Sequence, residues 1–280
     1  MMERSAGPGK ERVLYVYRGD DCQGEEVAYR VPVVPGMVVL DALHFIQAHE
    51  APDLAVRWNC KAAHCGSCSG EINGEPRLFC KTRLDAYGTQ DIHVHPLHTF
   101  PIIRDLVSDV SWNYERAEEL VPGFRPAEPP PFHLQQWEVD RVEEFHRCIE
   151  CFLCQDACHV LREHGLFGQY WGPQLMVRIA ELEMHPMDTA SRTDLLHGPA
   201  GVGLCNVTHC CTDVCPEGIE ITHDAIIPLK ERVADQQYDP IAAWLRRLKR
   251  PQPTSPQRSG HRQESHTAES GASGSGPDRV

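Results

Sequence analysis

CIECFLCQDACH, residues 148–159, sets four thiols, Cys148, Cys151, Cys154 and Cys158, at intervals of two, two and three residues, with histidine after the last. CNVTHCCTDVCPEG, residues 205–218, adds Cys205, Cys211 and Cys215 at C-x5-C-x3-C, followed by Pro216. The rest of the chain narrows what such thiols are for. Its 280 residues suffice for one large domain or two ordinary ones, and 41% of them are apolar. Thirteen cysteines are many, yet sparser than in a small disulfide scaffold. The opening MMERSAGPGK has no apolar signal region, and no window nears eighteen uninterrupted apolar residues. We therefore expect an intracellular, water-soluble chain whose clustered thiols serve metal or redox chemistry rather than disulfides. A net charge of −13 without a basic run argues against nucleic acid as a partner.

The stretch 148–159 has the spacing of a bacterial ferredoxin run, in which the fourth cysteine ligates a different cluster from the first three. Cys148, Cys151 and Cys154 then need a distant thiolate, and Cys158 needs distant companions. The second stretch supplies both. Exchanging the last cysteines gives one site with Cys148, Cys151, Cys154 and Cys215, a 4Fe–4S set. The other has Cys158, Cys205 and Cys211. A complete run would carry cysteine at 208, where Thr208 stands, so three thiolates favour a 3Fe–4S cluster. Cys210 is a possible substitute ligand. On a helix over 205–215, neighbouring side chains diverge by about 100°, so the expectation is that Cys210 turns away from the site that Cys211 faces.

An earlier set lies in WNCKAAHCGSCSGEINGEPRLFC, residues 58–80. Cys60, Cys65, Cys68 and Cys80 follow C-x4-C-x2-C-x11-C, and the first three match plant-type 2Fe–2S spacing. Gly66 and Ser67 are small enough for the loop to wrap an anionic cluster closely. A zinc knuckle fits the x4-x2 loop poorly, and a Rieske centre needs two histidines where only His64 is at hand.

Around these sets the chain divides into segments. VLYVYR from Val13 and VAYRVPVV from Val27 flank a Gly-Asp-Asp turn and read as a hairpin. In MVVLDALHFIQAHE, Val39, Ala42, Leu43 and Ile46 recur at helical steps. DIHV, residues 91–94, alternates as a strand. PGFRPAEPPP, residues 122–131, reads as an extended linker because proline fixes φ and lacks a donor. WEVDRVEEFHRC, PQLMVRIAELEM and IAAWLRRLKR carry apolar stripes of helices. The resulting division is a 2Fe–2S ferredoxin-like domain over 11–120, a proline-rich linker over 121–136, a helical domain with the other two clusters over 137–250, and a tail over 251–280 too polar to fold alone.

Taken together, one plant-type set followed by CIECFLCQDAC and CNVTHCCTDVCPEG resembles the iron–sulfur subunit of succinate dehydrogenase and fumarate reductase. The resemblance covers roughly residues 11–250 and includes PLHTFPIIRDLVSD, residues 96–109, the family's link between domains. It implies an α+β chain: an N-terminal β-grasp domain, then an all-helical ferredoxin-like domain. It implies electron relay through 2Fe–2S, 4Fe–4S and 3Fe–4S clusters, with no catalytic residue on this chain. The implied partners are an FAD flavoprotein that handles the dicarboxylate and a membrane-anchor cytochrome b. A quinone binds near the 3Fe–4S cluster, and the chain sits peripherally on the cytoplasmic face of the membrane. No phosphate-cradling glycine loop is present here, since Gly201 and Gly203 lack a third glycine at Asn206. His159 after Cys158, where ubiquinone-linked members have proline, and Asn206 after Cys205, where they have histidine, depart from those members; the CIEC beginning and the non-proline after Cys158 resemble members paired with a dihaem cytochrome b anchor and menaquinone. Rival readings are the electron-transfer subunit of a glycolate or glycerol-3-phosphate oxidising flavoprotein, which usually carries two complete ferredoxin runs, and a redox-inactive zinc-binding interaction protein.

Other residues have blander readings. His93 and His95 share one strand face and are expected to be solvated rather than metal-bound. His159 and His209 flank the third set and either tune it or pack. Cys22, alone in a turn, is a plain thiol. Trp137, Trp171 and Trp244 are core or interface residues, with Trp171 a candidate neighbour of a quinone. The cations Arg246, Arg247, Lys249 and Arg250 suit either a helix C-terminus or an anionic membrane surface.

Overall fold

The computed structural model describes residues 11–240 other than 122. The last expected helix, its cations, Trp244 and the polar tail lie outside the described residues. The chain opens with the hairpin β1 (Glu11–Gly19) and β2 (Gly24–Pro32), paired antiparallel from Glu11 opposite Pro32 to Gly19 opposite Gly24. Alternation decides which way β1 faces: Leu14 and Val16 are fully buried while their neighbours are not. Helix α1 (Val39–His49) buries Val39, Leu40, Ala42, Leu43 and Ile46 against this sheet. Its first turn is capped by Asp41, whose carboxylate accepts the Val38 N–H at 3.1 Å, as a first-turn acid should.

After α1 come β3 (Ser69–Ile72), β4 (Glu75–Leu78) and β5 (Ile92–His95), the last one residue later than the alternation suggests. The sheet order is β2-β1-β5-β3-β4, with β1 and β5 parallel and the other pairs antiparallel. A mixed sheet holding one helix across its face is the β-grasp arrangement. A small ribbon, β6 (Ile102–Arg104) and β7 (Val107–Ser108), and α2 (Ser111–Glu118) lead out of it.

The second half is helical: α3 (Gln136–His146), α4 (Leu153–Asp156), α5 (His159–Arg162), α6 (Gly172–Glu183), α7 (Thr193–His197), α8 (Cys210–Asp213), then a π-helical turn, Ile221–Ile226, running into α9 (Ile227–Tyr238). Several of these are single turns, too short to persist alone. Their order comes from the loops and the core between them.

Residues 123–131 have no regular structure beyond an isolated bridge, yet they are fastened to the helical half. Buried Arg192 donates to the Gly123 carbonyl at 3.1 Å, and Thr189 N–H donates to the Arg125 carbonyl at 2.9 Å. The two halves also share a core. Phe152 packs edge-on to Phe100 at 6.2 Å between centroids, and Cys151, Phe152 and Leu153 join the β-grasp cluster of buried residues. Polar contacts bridge the same seam. Arg162 on α5 pairs with Glu71 on β3, Asp156 accepts the Thr99 N–H at 2.9 Å, and Lys81 donates to the Pro216 carbonyl at 2.9 Å.

Candidate iron–sulfur sites

The first cysteine set lies on the loop between α1 and β3, with Cys80 just beyond β4. Lys61 and Ala63 take left-handed φ values of 58° and 59°, and Gly66 follows at 66°. Left-handed residues placed two apart turn successive N–H groups to one side and make an anion-binding concavity. The sulfurs collect those donors. Ala62 N–H lies 3.4 Å and His64 N–H 3.3 Å from Cys60 Sγ, and Ala63 N–H lies 3.3 Å from Cys80 Sγ. Cys80 N–H reaches Cys68 Sγ at 3.4 Å, and Cys60 N–H reaches Cys65 Sγ at 3.5 Å. Burial raises the Cys65 thiol, but hydrogen bonds from Cys60 and Ser67 outweigh it and bring the pKa down to about 6. Burial and the neighbouring Cys80 push Cys68 up to about 12.

The second set closes across distant sequence. Cys148, Cys151 and Cys154 and the remote Cys215 line one small apolar cavity, walled by Ile219 and Val177 among others. Glu150 and Phe152 repeat the left-handed pattern, at φ 52° and 61°. Burial pushes Cys151 up to about 12, with the Cys148 and Cys215 thiols adding to the shift, and Cys154 is raised by burial still more completely. Thiols so placed ionise only against a cation, which is what iron supplies.

The third set joins Cys158, at the start of α5, to Cys205 and Cys211. Val207 and His209 give the third left-handed pair, at φ 63° and 64°. Val207 is β-branched, for which this conformation is an outlier that persists only where the surroundings enforce it. Burial raises Cys158 to about 11 and Cys211 to about 12, and each is raised further by Cys210 and Cys205. Tyr170 is fully buried beside Cys205, Cys158 and Cys211, with its hydroxyl interacting with the Cys205 thiol. A buried donor among thiols fits an anionic cluster.

One expectation needs correcting. The segment 205–215 is not one helix. The two left-handed residues break it, and α8 covers only Cys210–Asp213. Cys210 and Cys211 both fall within α8, so their side chains still diverge there; Cys210 is half-buried rather than a buried bystander, and its sulfur lies 3.4 Å from Thr208 Oγ1.

The remaining candidates are also located. His93 Nδ1 and His95 Nε2 both meet Glu26 on β2, at 2.8 and 2.6 Å, half-exposed on one sheet face. His159 Nδ1 lies 3.4 Å from Thr208 Oγ1, and His209 packs against His223 at 4.5 Å. Trp171 is buried in the helical core, Trp137 is largely exposed, and Cys22 is an exposed thiol. Sequence reading missed Tyr170, because nothing local distinguishes it from an ordinary core tyrosine. Among the described residues no three Cys, His, Asp or Glu side chains converge on a single-ion site. Thiolates on one tetrahedral zinc stand about 3.8 Å apart, whereas a cluster spreads its thiolates over several irons.

Sheet, helices and three sulfur-lined nests define a two-domain iron–sulfur electron carrier. Residues 13–115 match the 2Fe-2S iron-sulfur cluster binding domain family, and residues 144–219 match the 4Fe-4S dicluster domain family. The fumarate reductase iron-sulfur subunit of Mycobacterium tuberculosis is 32% identical over 200 residues, covering 69% of this chain and 80% of that protein. That of Haemophilus influenzae is 34% identical over 209 residues, with the same coverage. A chain of the Mycobacterium smegmatis Sdh1 complex in the apo form is 53% identical, with a TM-score of 0.80, covering 83% of this chain and 99% of that one. The chain belongs to the family of succinate dehydrogenase and fumarate reductase iron–sulfur subunits, and it transfers electrons through 2Fe–2S, 4Fe–4S and 3Fe–4S clusters.

Proposed function

We propose that this chain is the wire of a succinate:quinone oxidoreductase, carrying electrons between an FAD-bearing flavoprotein subunit and a quinone held by a membrane-anchor cytochrome b. Cys60, Cys65, Cys68 and Cys80 hold the 2Fe–2S cluster. Cys148, Cys151, Cys154 and Cys215 hold the 4Fe–4S cluster, and Cys158, Cys205 and Cys211 hold the 3Fe–4S cluster. When bound, the clusters pass single electrons from one partner's flavin toward the other partner's quinone. The observation that carries the reading is the paired left-handed backbone in all three cysteine loops, Lys61 with Ala63, Glu150 with Phe152, and Val207 with His209. Each such residue costs about 1–2 kcal/mol, and an anionic cluster gathering the N–H groups offsets that strain.

The protein's own work is to bind, orient and insulate. N–H donors fix the sulfurs of the first set, and the apolar cavity excludes water from the second. No side chain here acts as acid or base toward the dicarboxylate, which reacts on the flavoprotein. No described helix is long and apolar enough to cross a membrane, and peripheral attachment at the cytoplasmic face comes through the partner subunits. The CIEC beginning at Cys148 and His159 in place of proline after Cys158 favour menaquinone as the quinone. The test is iron and sulfide analysis of the anaerobically purified complex, expected at about nine iron atoms per chain, with a three-iron EPR signal in the oxidised complex that disappears on adding succinate while a 2Fe–2S signal appears, and a 4Fe–4S signal on adding dithionite. A colourless protein, or about six iron atoms, overturns the three-cluster assignment.

A further inference from the structure

Cys210 is the one cysteine near a nest to which the family pattern gives no role. It begins α8, directly after left-handed His209, and is half-buried where Cys211 beside it is buried. Its sulfur lies 3.4 Å from Thr208 Oγ1. Position 208 is where a complete ferredoxin run would place its cysteine, so Cys210 brings a sulfur to the corner that Thr208 leaves without one. Thr208 Oγ1 also lies 3.4 Å from Nδ1 of His159, the residue after Cys158, so this corner closes onto the α5 side of the nest. The Cys210 thiol also stands close enough to Cys158 and Cys211 to interact with both. Its partial exposure suits a corner through which an ion enters and leaves.

We propose that Cys210 is a fourth thiolate ligand of the third site, allowing that site to take up one additional Fe²⁺ when reduced. This rests on the three-cluster reading above. One electron, from succinate through the flavoprotein or from dithionite, takes the three-iron core from +1 to neutral. One Fe²⁺ then binds, forming bonds to core sulfides and to Cys210 Sγ, and the Cys210 proton goes to solvent. The result is a 4Fe–4S core of charge +2, and the Cys210 S–H is the one protein bond broken. Loss of one electron to an oxidant such as ferricyanide takes the core to +3, and release of Fe²⁺ with reprotonation of Cys210 from solvent returns the three-iron core. The third site would thus report iron supply and redox state together.

The experiment uses the intact, anaerobically purified complex with ⁵⁷Fe²⁺ and dithionite, followed by desalting, Mössbauer spectroscopy and EPR. Wild type should incorporate about one labelled iron per chain in a cluster environment and lose its three-iron EPR signal. Cys210→Ala should incorporate none and keep that signal, and Thr208→Cys in the Cys210→Ala background should restore uptake. A wild-type site isolated already in the four-iron form, and three-iron in Cys210→Ala, supports the same ligand. Equal uptake by wild type and Cys210→Ala overturns the proposal, as does no uptake by a three-iron wild type. The 2Fe–2S and 4Fe–4S signals serve as the control: their presence in every variant shows that the chain has folded and loaded. Their absence from wild type counts against the three-cluster reading instead.

Discussion

The backbone of Gly66, in the first cysteine loop, lies directly against Cys151 in the second: a Cβ on Gly66 would stand 2.9 Å from the Cys151 Cα and 2.7 Å from the Ile149 carbonyl oxygen. The first two nests therefore share a wall one backbone thick. Gly66 also sits at φ 66°, which costs a side-chain-bearing residue about 1–2 kcal/mol. Gly66→Ala must both strain its own loop and push the two halves apart, because the atoms it meets are backbone. We expect a lower melting temperature and slower reduction of the second cluster relative to the first. Rapid-freeze EPR during reduction by succinate measures the second effect, and a wild-type time course would show that this contact does not set the spacing.

A buried carboxylate fastens the segment between the halves. Asp105 is 2% exposed and accepts the Gly19 N–H at 3.0 Å, the Ala55 N–H at 2.8 Å and Arg18 Nε at 3.1 Å. Asp105→Ala leaves three donors without a partner, one of them charged, and should destabilise the β-grasp half by about 3 kcal/mol. Asp105→Asn keeps one acceptor oxygen and tolerates the residue's φ of 49°, so it should fall between the two. Melting temperatures of the three proteins give the order, and an alanine variant as stable as wild type contradicts it.

Much of this was legible because it is periodic or evenly spaced. The alternation of Leu14 and Val16 marks β1, the steps from Val39 to Ile46 mark α1, and the cysteine spacings pick out thiols that the fold gathers from far apart, as with Cys154 and Cys215. What was not legible depends on closure of the nests. The turns α4, α5 and α8 are shorter than one helical repeat of apolar positions can signal. Left-handed Val207 contradicts local preference, since only tertiary contacts can hold a β-branched residue there. The break at that residue confines the helix to Cys210–Asp213, which the cysteine spacing alone does not signal. Asp105 and Tyr170 gain their roles from partners remote in sequence, and neither lies in a motif.

The Tyr170 hydroxyl is buried beside Cys158, Cys205 and Cys211, with the Cys205 thiol as its hydrogen-bonding neighbour. A donor facing cluster sulfur favours the more negative, reduced state and so raises the potential. Tyr170→Phe keeps the ring and removes the donor. It should lower the midpoint potential of the third cluster by on the order of tens of millivolts, leaving the other two in place. Potentiometric EPR titration separates this from a packing defect, which would broaden all three signals. An unmoved third potential means the hydroxyl points elsewhere.

Removing the iron should not affect both halves alike. The β-grasp half has a five-stranded sheet and a large core built on Leu14, Val16, Leu43 and Ile46, in which Cys68 and Cys80 are only two of many buried members. The helical half has Cys154, Cys158 and Cys211 inside its core and depends on four-residue helices between them. Single turns of helix do not hold without tertiary support. Stripping the clusters leaves their buried thiols protonated and the N–H concavities without an anion, and the left-handed residues lose the interaction that offsets their strain. Hydrogen exchange on the chelator-treated chain should therefore show residues 153–162 and 210–226 exchanging at least tenfold faster than in the loaded chain, which corresponds to about 1.4 kcal/mol of lost protection. Amides of β1 and β5 should change little. Equal loss of protection in both halves would mean that the clusters hold the whole chain together rather than its second half.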